Sequence, residues 1–149
     1  MKKKIITIGI IALSAIFIVS NLKNLSQDAG LHDWHSNLQG YVEATRLQHV
    51  SAKPMAVFFY TDWCSSCKIL REQVLSSPEV HAYLQNMITV KINPEASPFE
   101  ETLAQEFGVM GYPTFFVISN NGRLVKQVER TTNITPQQFI EQLQQAVEI

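Results

Sequence analysis

Cysteine is scarce in this chain: Cys64 and Cys67 are the only two in 149 residues. That excludes a disulfide-stapled scaffold, and it excludes a four-cysteine zinc site, because no second pair exists. Charge of one sign is also missing. Twelve basic residues face thirteen acidic ones, for a net charge of −1. Four of the basic residues, Lys2, Lys3, Lys4 and Lys23, lie at the extreme N-terminus, so residues 31–149 hold eight basic and twelve acidic groups. A nucleic-acid role finds no support in that balance. Glycine and proline, six of each, are too few for a fibrous or low-complexity chain, and no internal repeat is present. Long apolar runs are absent after the first two dozen residues.

The exception is at the start. Met1-Lys2-Lys3-Lys4 followed by apolar Ile5 to Val19 has the form of a secretion signal or signal anchor. The run is near the upper length of a signal core and short for a bilayer span. No Ala-x-Ala cleavage site follows it, so residues 1–22 are expected to remain as a membrane anchor, with a released signal peptide as the alternative. Either outcome places the remainder outside the cytoplasm, since the positive flank stays inside. Residues 23–32 read as a linker and 33–149 as one domain.

Within that domain the apolar pattern alternates between helix and strand. Trp34, Leu38, Tyr41, Val42 and Leu47 recur at near-helical spacing and predict a helix from Asp33 to about His49, with Gly40 as a weak point. Met55 to Tyr60 reads as a buried strand and Lys68 to Leu75 as a helix. Ser77-Pro78, Ser97-Pro98-Phe99-Glu100 and Thr135-Pro136-Gln137-Gln138 carry helix-start signals, the last two as capping boxes, while at Ser77-Pro78 the alternative is a kink after which the preceding helix continues. Strands are expected at Ile88–Ile92, Thr114–Ser119 and Leu124–Val128, the last two joined by Asn120-Asn121-Gly122 as a hairpin turn. The final helix presents Phe139, Ile140, Leu143 and Val147 on one stripe. The order predicts an α/β fold, a central mixed sheet flanked by helices.

Chemistry concentrates at Trp63-Cys64-Ser65-Ser66-Cys67-Lys68. Two thiols three positions apart where a strand gives way to a helix can form and break a disulfide within one site. They close too small a loop to staple the chain, which leaves half a zinc site or an inert clip as the bland alternatives. Backbone N–H groups and the helix dipole at the first cysteine favour its thiolate, the form that attacks a disulfide. Cys64 is therefore the candidate nucleophile, and Cys67 the resolving thiol that attacks the mixed disulfide. Lys68 reads as a solvated neighbour. Gly111-Tyr112-Pro113-Thr114, directly before a strand, is a place for a cis proline.

Trp-Cys-x-x-Cys-Lys followed by Gly-x-Pro-Thr before a strand resembles the thioredoxin-fold family over about Lys53 to Val147. Phe59-Tyr60-Thr61-Asp62-Trp63-Cys64 is similar, within it, to the C-terminal periplasmic domains of the DsbD disulfide reductases. The resemblance implies that Pro113 is the cis proline facing the disulfide. It further implies that Tyr112 offers backbone hydrogen bonds to a substrate chain and that Trp63, Met110 and Gly111 form the apolar rim. It implies no organic cofactor and no metal beyond the redox-active cysteine pair. The implied partners are protein thiols or disulfides and a membrane electron donor or acceptor, in a bacterial periplasm.

One departure stands out. Such reductases commonly place a buried aspartate six residues before the nucleophile, and that position is Phe58. Lys91 matches the family's partner lysine, and Asp62, or less readily Glu95, is a candidate for the missing proton handling. The Ser65-Ser66 dipeptide lacks the histidine of strongly oxidising relatives, which favours a reductant. The rival readings are a thiol oxidase or disulfide isomerase, a non-catalytic binding module, and a metal chaperone using both thiolates. His32 and His35 flank Trp34 and are too few by themselves for a metal site, His49 and His81 read as helix-surface or helix-end residues, and Asn24-Leu25-Ser26 and Asn133-Ile134-Thr135 as chance glycosylation sequons.

Overall fold

The computed structural model describes residues 30, 31, 33–120, 122–129 and 131–147. The expected signal or anchor and nearly all of the linker, with His32, lie outside the described residues. Among the described residues no helix is long and apolar enough to cross a membrane.

Five strands form one mixed sheet: β1 (His35–Ser36), β2 (Met55–Phe59), β3 (Ile88–Ile92), β4 (Thr114–Ile118) and β5 (Val125–Gln127), in the order β1-β3-β2-β4-β5. β1 and β2 flank β3 in parallel, β4 pairs antiparallel with β2, and β5 antiparallel with β4. The central strands β2 and β4 are buried at every position, which explains their uninterrupted apolar runs.

Consecutive residues of a strand face opposite sides of the sheet, and the double phenylalanines of β2 and β4 divide accordingly. Phe58 and Phe115 enter one core together with Trp34, Cys64, Cys67, Leu70 and Phe139. Phe59 and Phe116 enter the other, with Ala44, Val90, Ile92, Leu103 and Ala104. Helices α1 (Asn37–Ser51) and α4 (Pro98–Glu106) cover the second core. The first is covered by α2 (Ser65–Leu70), a π-helical turn (Arg71–Leu75), α3 (Pro78–Leu84) and α5 (Pro136–Val147).

The helix expected from Asp33 starts only at Asn37. Trp34 belongs to the first core, whereas Leu38, Tyr41 and Leu47 pack on the second, so no single helix could present them all. The chain passes from one face to the other through β1. Val42, expected on the stripe, is exposed. Gly40 has its reason in this crossing, because a Cβ there would stand 2.9 Å from the carbonyl carbon of His35.

The helix expected from Lys68 starts earlier, at Ser65, and its last turn is π-helical. Ser77 then caps a separate helix through its hydroxyl, which accepts the N–H of Val80. The final stripe buries Phe139, Ile140, Leu143 and Ala146, with Val147 only partly covered.

Candidate active site

Strand β2 delivers the chain to the end of the sheet, where Thr61, Asp62 and Trp63 turn it into α2. Thr61 is fully buried and its carbonyl accepts the N–H of Cys64 at 3.3 Å. Cys64 is the N-cap of α2, and its Sγ accepts the backbone N–H of Cys67 at 3.1 Å. That donor is one of the unsatisfied N–H groups of a helix start, directed here at sulfur. The two cysteines form a disulfide, with Cα atoms 5.2 Å apart. Cys64 keeps 6% of its surface exposed and Cys67 none, so both cysteines are buried and Cys64 is the less deeply covered of the two.

Apolar surface is displayed by the residue before Cys64 and by the loop before β4. Trp63 is 68% exposed and Met110 97% exposed. The Trp63 and Tyr112 rings meet edge to face at 6.2 Å, and the indole N–H of Trp63 donates to Glu95 Oε1 at 2.8 Å, which fixes the ring. The Tyr112–Pro113 peptide is cis. Around it, Thr114 Oγ1 donates to the Gly111 carbonyl and Thr131 Oγ1 to the Pro113 carbonyl. Burial, then the carboxylates of Glu95 and Glu101, raise the Tyr112 phenol above its ordinary range, so Tyr112 is neutral at working pH. A groove of about 460 Å³ borders the outer side of α2, with Ser66, Ile69 and Ile134 among its lining; neither cysteine lines it.

The candidates for proton handling are placed otherwise. Asp62 is exposed and accepts from the Asn93 amide at 3.4 Å, and Glu95 is engaged by Trp63. Lys91, half-buried, stands beside Phe58 in the β2–β3 register. Phe58 itself is sealed in an aromatic group with Trp34, Tyr60 and Phe115. The described histidines are dispersed: His35 lies on β1, His49 on α1, and His81 is 4.0 Å from Asp33. Among the described residues no group of three or more His, Cys, Asp or Glu could hold a metal.

Two neighbours escaped the sequence reading. Thr61 Oγ1 and Arg71 Nε are the two buried side-chain polar atoms without a hydrogen-bond partner among the described residues. Arg71 had a signal: it stands four residues after Cys67, on the helical spacing of a buried position.

A family model described as a thioredoxin-like domain matches residues 41–147. Thiol:disulfide interchange protein DsbD of Yersinia pestis (strain Pestoides F) is 30% identical over 115 residues, which make up 74% of this chain and 19% of that protein. DsbD of Neisseria meningitidis serogroup A is 35% identical over 79 residues, 52% of this chain and 13% of that protein. The chain thus spans a fifth or less of these curated relatives. Among solved structures, the oxidised C-terminal domain of Neisseria meningitidis DsbD superposes with a TM-score of 0.64 at 28% identity, covering 76% of this chain and 98% of that one. A DsbH oxidoreductase superposes equally well, TM-score 0.64, at 22% identity, covering 78% of this chain and 85% of that one; this likeness speaks to the fold alone.

Proposed function

The chain belongs to the thioredoxin-like family and carries the disulfide pair of a thiol-disulfide oxidoreductase, and on that premise we propose that it reduces protein disulfides in a bacterial periplasm. In its reduced form the Cys64 thiolate attacks a substrate disulfide, forming a mixed disulfide and expelling one substrate thiolate. Cys67 then attacks Cys64 Sγ, releases the second substrate sulfur and restores the Cys64–Cys67 bond. Two electrons leave the domain, and a membrane-borne dithiol donor must return them. Residues 1–22 would hold the domain beside that donor.

The observation that carries this reading is the arrangement at the sulfurs. Cys64 is the less deeply buried member of the pair, and its Sγ already accepts a backbone N–H, which favours its thiolate. The apolar Trp63–Tyr112 surface and the cis Pro113 next to it form a place for an extended chain to lie. The likeness to thiol:disulfide interchange proteins named DsbD supports dithiol exchange in a periplasmic setting, and the Ser65-Ser66 dipeptide, without the histidine of strong oxidants, supports the reducing direction. No organic cofactor or metal enters the scheme.

Equilibration of the purified protein against glutathione, with Cys64→Ser and Cys67→Ser as controls, tests it. The expected potential is about −200 to −270 mV, the range of thioredoxin and glutaredoxins. A value near about −120 mV would make the protein an oxidant. A disulfide inert to both buffers would make it a structural clip and remove the enzymatic reading, leaving a binding module.

A further inference from the structure

A charged side chain inside an apolar wall is costly unless something compensates it. Arg71 is only 4% exposed. It opens the π-helical turn, an irregularity that recurs at functional sites, and its backbone N–H reaches back to the carbonyls of Cys67 and Lys68. Residues four apart on a helix share a face, so Arg71 follows Cys67 on the buried side. Its guanidinium lies over the Tyr60 ring, 5.6 Å from the centroid. Tyr60 in turn stacks on Phe58 and packs on the core that contains both cysteines. Arg71 Nε has no hydrogen-bond partner among the described residues, and neither has Thr61 Oγ1. The two unpartnered atoms belong to residues on either side of the pair along the chain, one on the segment leading into Cys64 and one on the helix leaving Cys67.

Among the described residues the other charges do not answer Arg71. Lys68 and Glu72 pair with each other at 3.8 Å on the solvent side. Asp62 is engaged by Asn93 and Glu95 by Trp63. Lys91 adds a second cation beside Phe58 rather than an anion. From the helices that pack on the π-helical turn, α5 turns inward Phe139, Ile140, Leu143 and Ala146, and α3 turns inward Val80 and Leu84. Glu79 and Glu141 on those helices are exposed, and His81 stands by Asp33.

A disulfide offers buried cations and donors almost nothing, but its reduction does. Two electrons and one proton turn the bond into one thiolate and one thiol, and a negative charge appears at the sulfurs. We propose that Arg71 is a positioning residue for the reduced pair, its fixed positive charge stabilising the thiolate that Cys64 presents to substrate. The inference rests on the redox reading of Cys64 and Cys67 given above. It also gives the substitution of phenylalanine at position 58 a meaning. A carboxylate there would oppose a thiolate, whereas an aromatic wall with a cation behind it supports one, because opposite charges attract strongly where water is excluded. Stabilising the thiolate stabilises the reduced form, so the couple accepts electrons from its donor more readily.

The test is a pH titration of the reduced protein by ultraviolet thiolate absorbance, paired with glutathione equilibration. Cys64 of the native protein is expected to titrate below the ordinary thiol value of about 8.5. Arg71→Met should shift that titration up by at least about one pH unit, a tenfold loss of thiolate. It should also make the couple at least tenfold harder to reduce, about 30 mV more negative. Arg71→Lys, which retains the charge, should stay near the native values and, with the native titration, decides the matter if the methionine variant does not fold. A native thiol at or above about 8.5, or a methionine variant that titrates like the native protein, overturns the proposal. Turnover of a protein disulfide by the native protein is read separately: its loss defeats the redox reading, while its persistence with an unmoved titration defeats only the role of Arg71.

Discussion

The two faces of the sheet are built from neighbouring residues of the same strands, yet they are put to different uses. On one side Phe59 and Phe116 meet Phe107 in a close aromatic group, with ring centroids 5.0–5.9 Å apart, under two regular helices. Polar side chains there act as ties. Gln48 donates to the Ser119 carbonyl, and Glu100 accepts the N–H of Leu38 at 3.0 Å and the hydroxyl of Ser97. On the other side Phe58 and Phe115 surround a disulfide, a buried arginine and an irregular helix. Two of its buried polar atoms, Thr61 Oγ1 and Arg71 Nε, have no hydrogen-bond partner among the described residues. The difference teaches where a small fold can carry imperfection: both faces are packed, but the face that holds the sulfurs has an irregular helix and two unpartnered polar atoms among the described residues.

Four substitutions sharpen or break that contrast. The largest effect is expected from Cys64→Ser, which should abolish disulfide turnover while leaving the denaturant midpoint close to that of the reduced native protein. A large fall in stability would mean that the pair holds the fold together. Next, Phe59→Ala should cost about 3–5 kcal/mol in urea unfolding, with the reduction potential unchanged. A shifted potential would show that the two faces are coupled. Trp63→Ala should raise KM for a protein disulfide about tenfold, as loss of an exposed aromatic anchor does, and leave stability as it was.

The smallest effect concerns Glu100. The Ser97 hydroxyl and then the Leu38 N–H hold its carboxyl below the usual carboxylate range. Its contribution is therefore complete above the unfolded value of about 4.3 and is lost as pH falls through the lower folded value. Glu100→Gln should cost about 1 kcal/mol at neutral pH. Unfolding curves of the variant and the native protein should converge on acidification. A difference that persists unchanged in acid would show that the tie does not depend on charge.

Much of this could be read from the sequence, and the failures share a cause. The central strands announce themselves because burial on both faces leaves them apolar throughout apart from Thr114, the first residue of β4. Cys64, Cys67 and Pro113 stand out because so few residue types suit those positions. Trp34 misled because periodicity measures spacing along the chain and not which side of a sheet a residue reaches; β1 is too short to register as a strand. Ser97 and Glu100 have the letters of a capping box, but the carboxylate also reaches across to α1, a contact between distant positions that no local motif encodes. Arg71 resembles any surface arginine until Cys67, Leu70 and Val74 are seen to define the buried side of its helix.

The sheet ends on both sides in its shortest strands, two residues in β1 and three in β5, and β5 carries Lys126. Open strand edges invite other chains to add on, and brevity and lysine are the usual means of discouraging it. A molecule that leaves Trp63 and Met110 exposed is at particular risk of aggregation. Here the flanks give a visiting chain almost no ladder to extend, so an encounter that begins on those side chains finds little sheet edge to continue on.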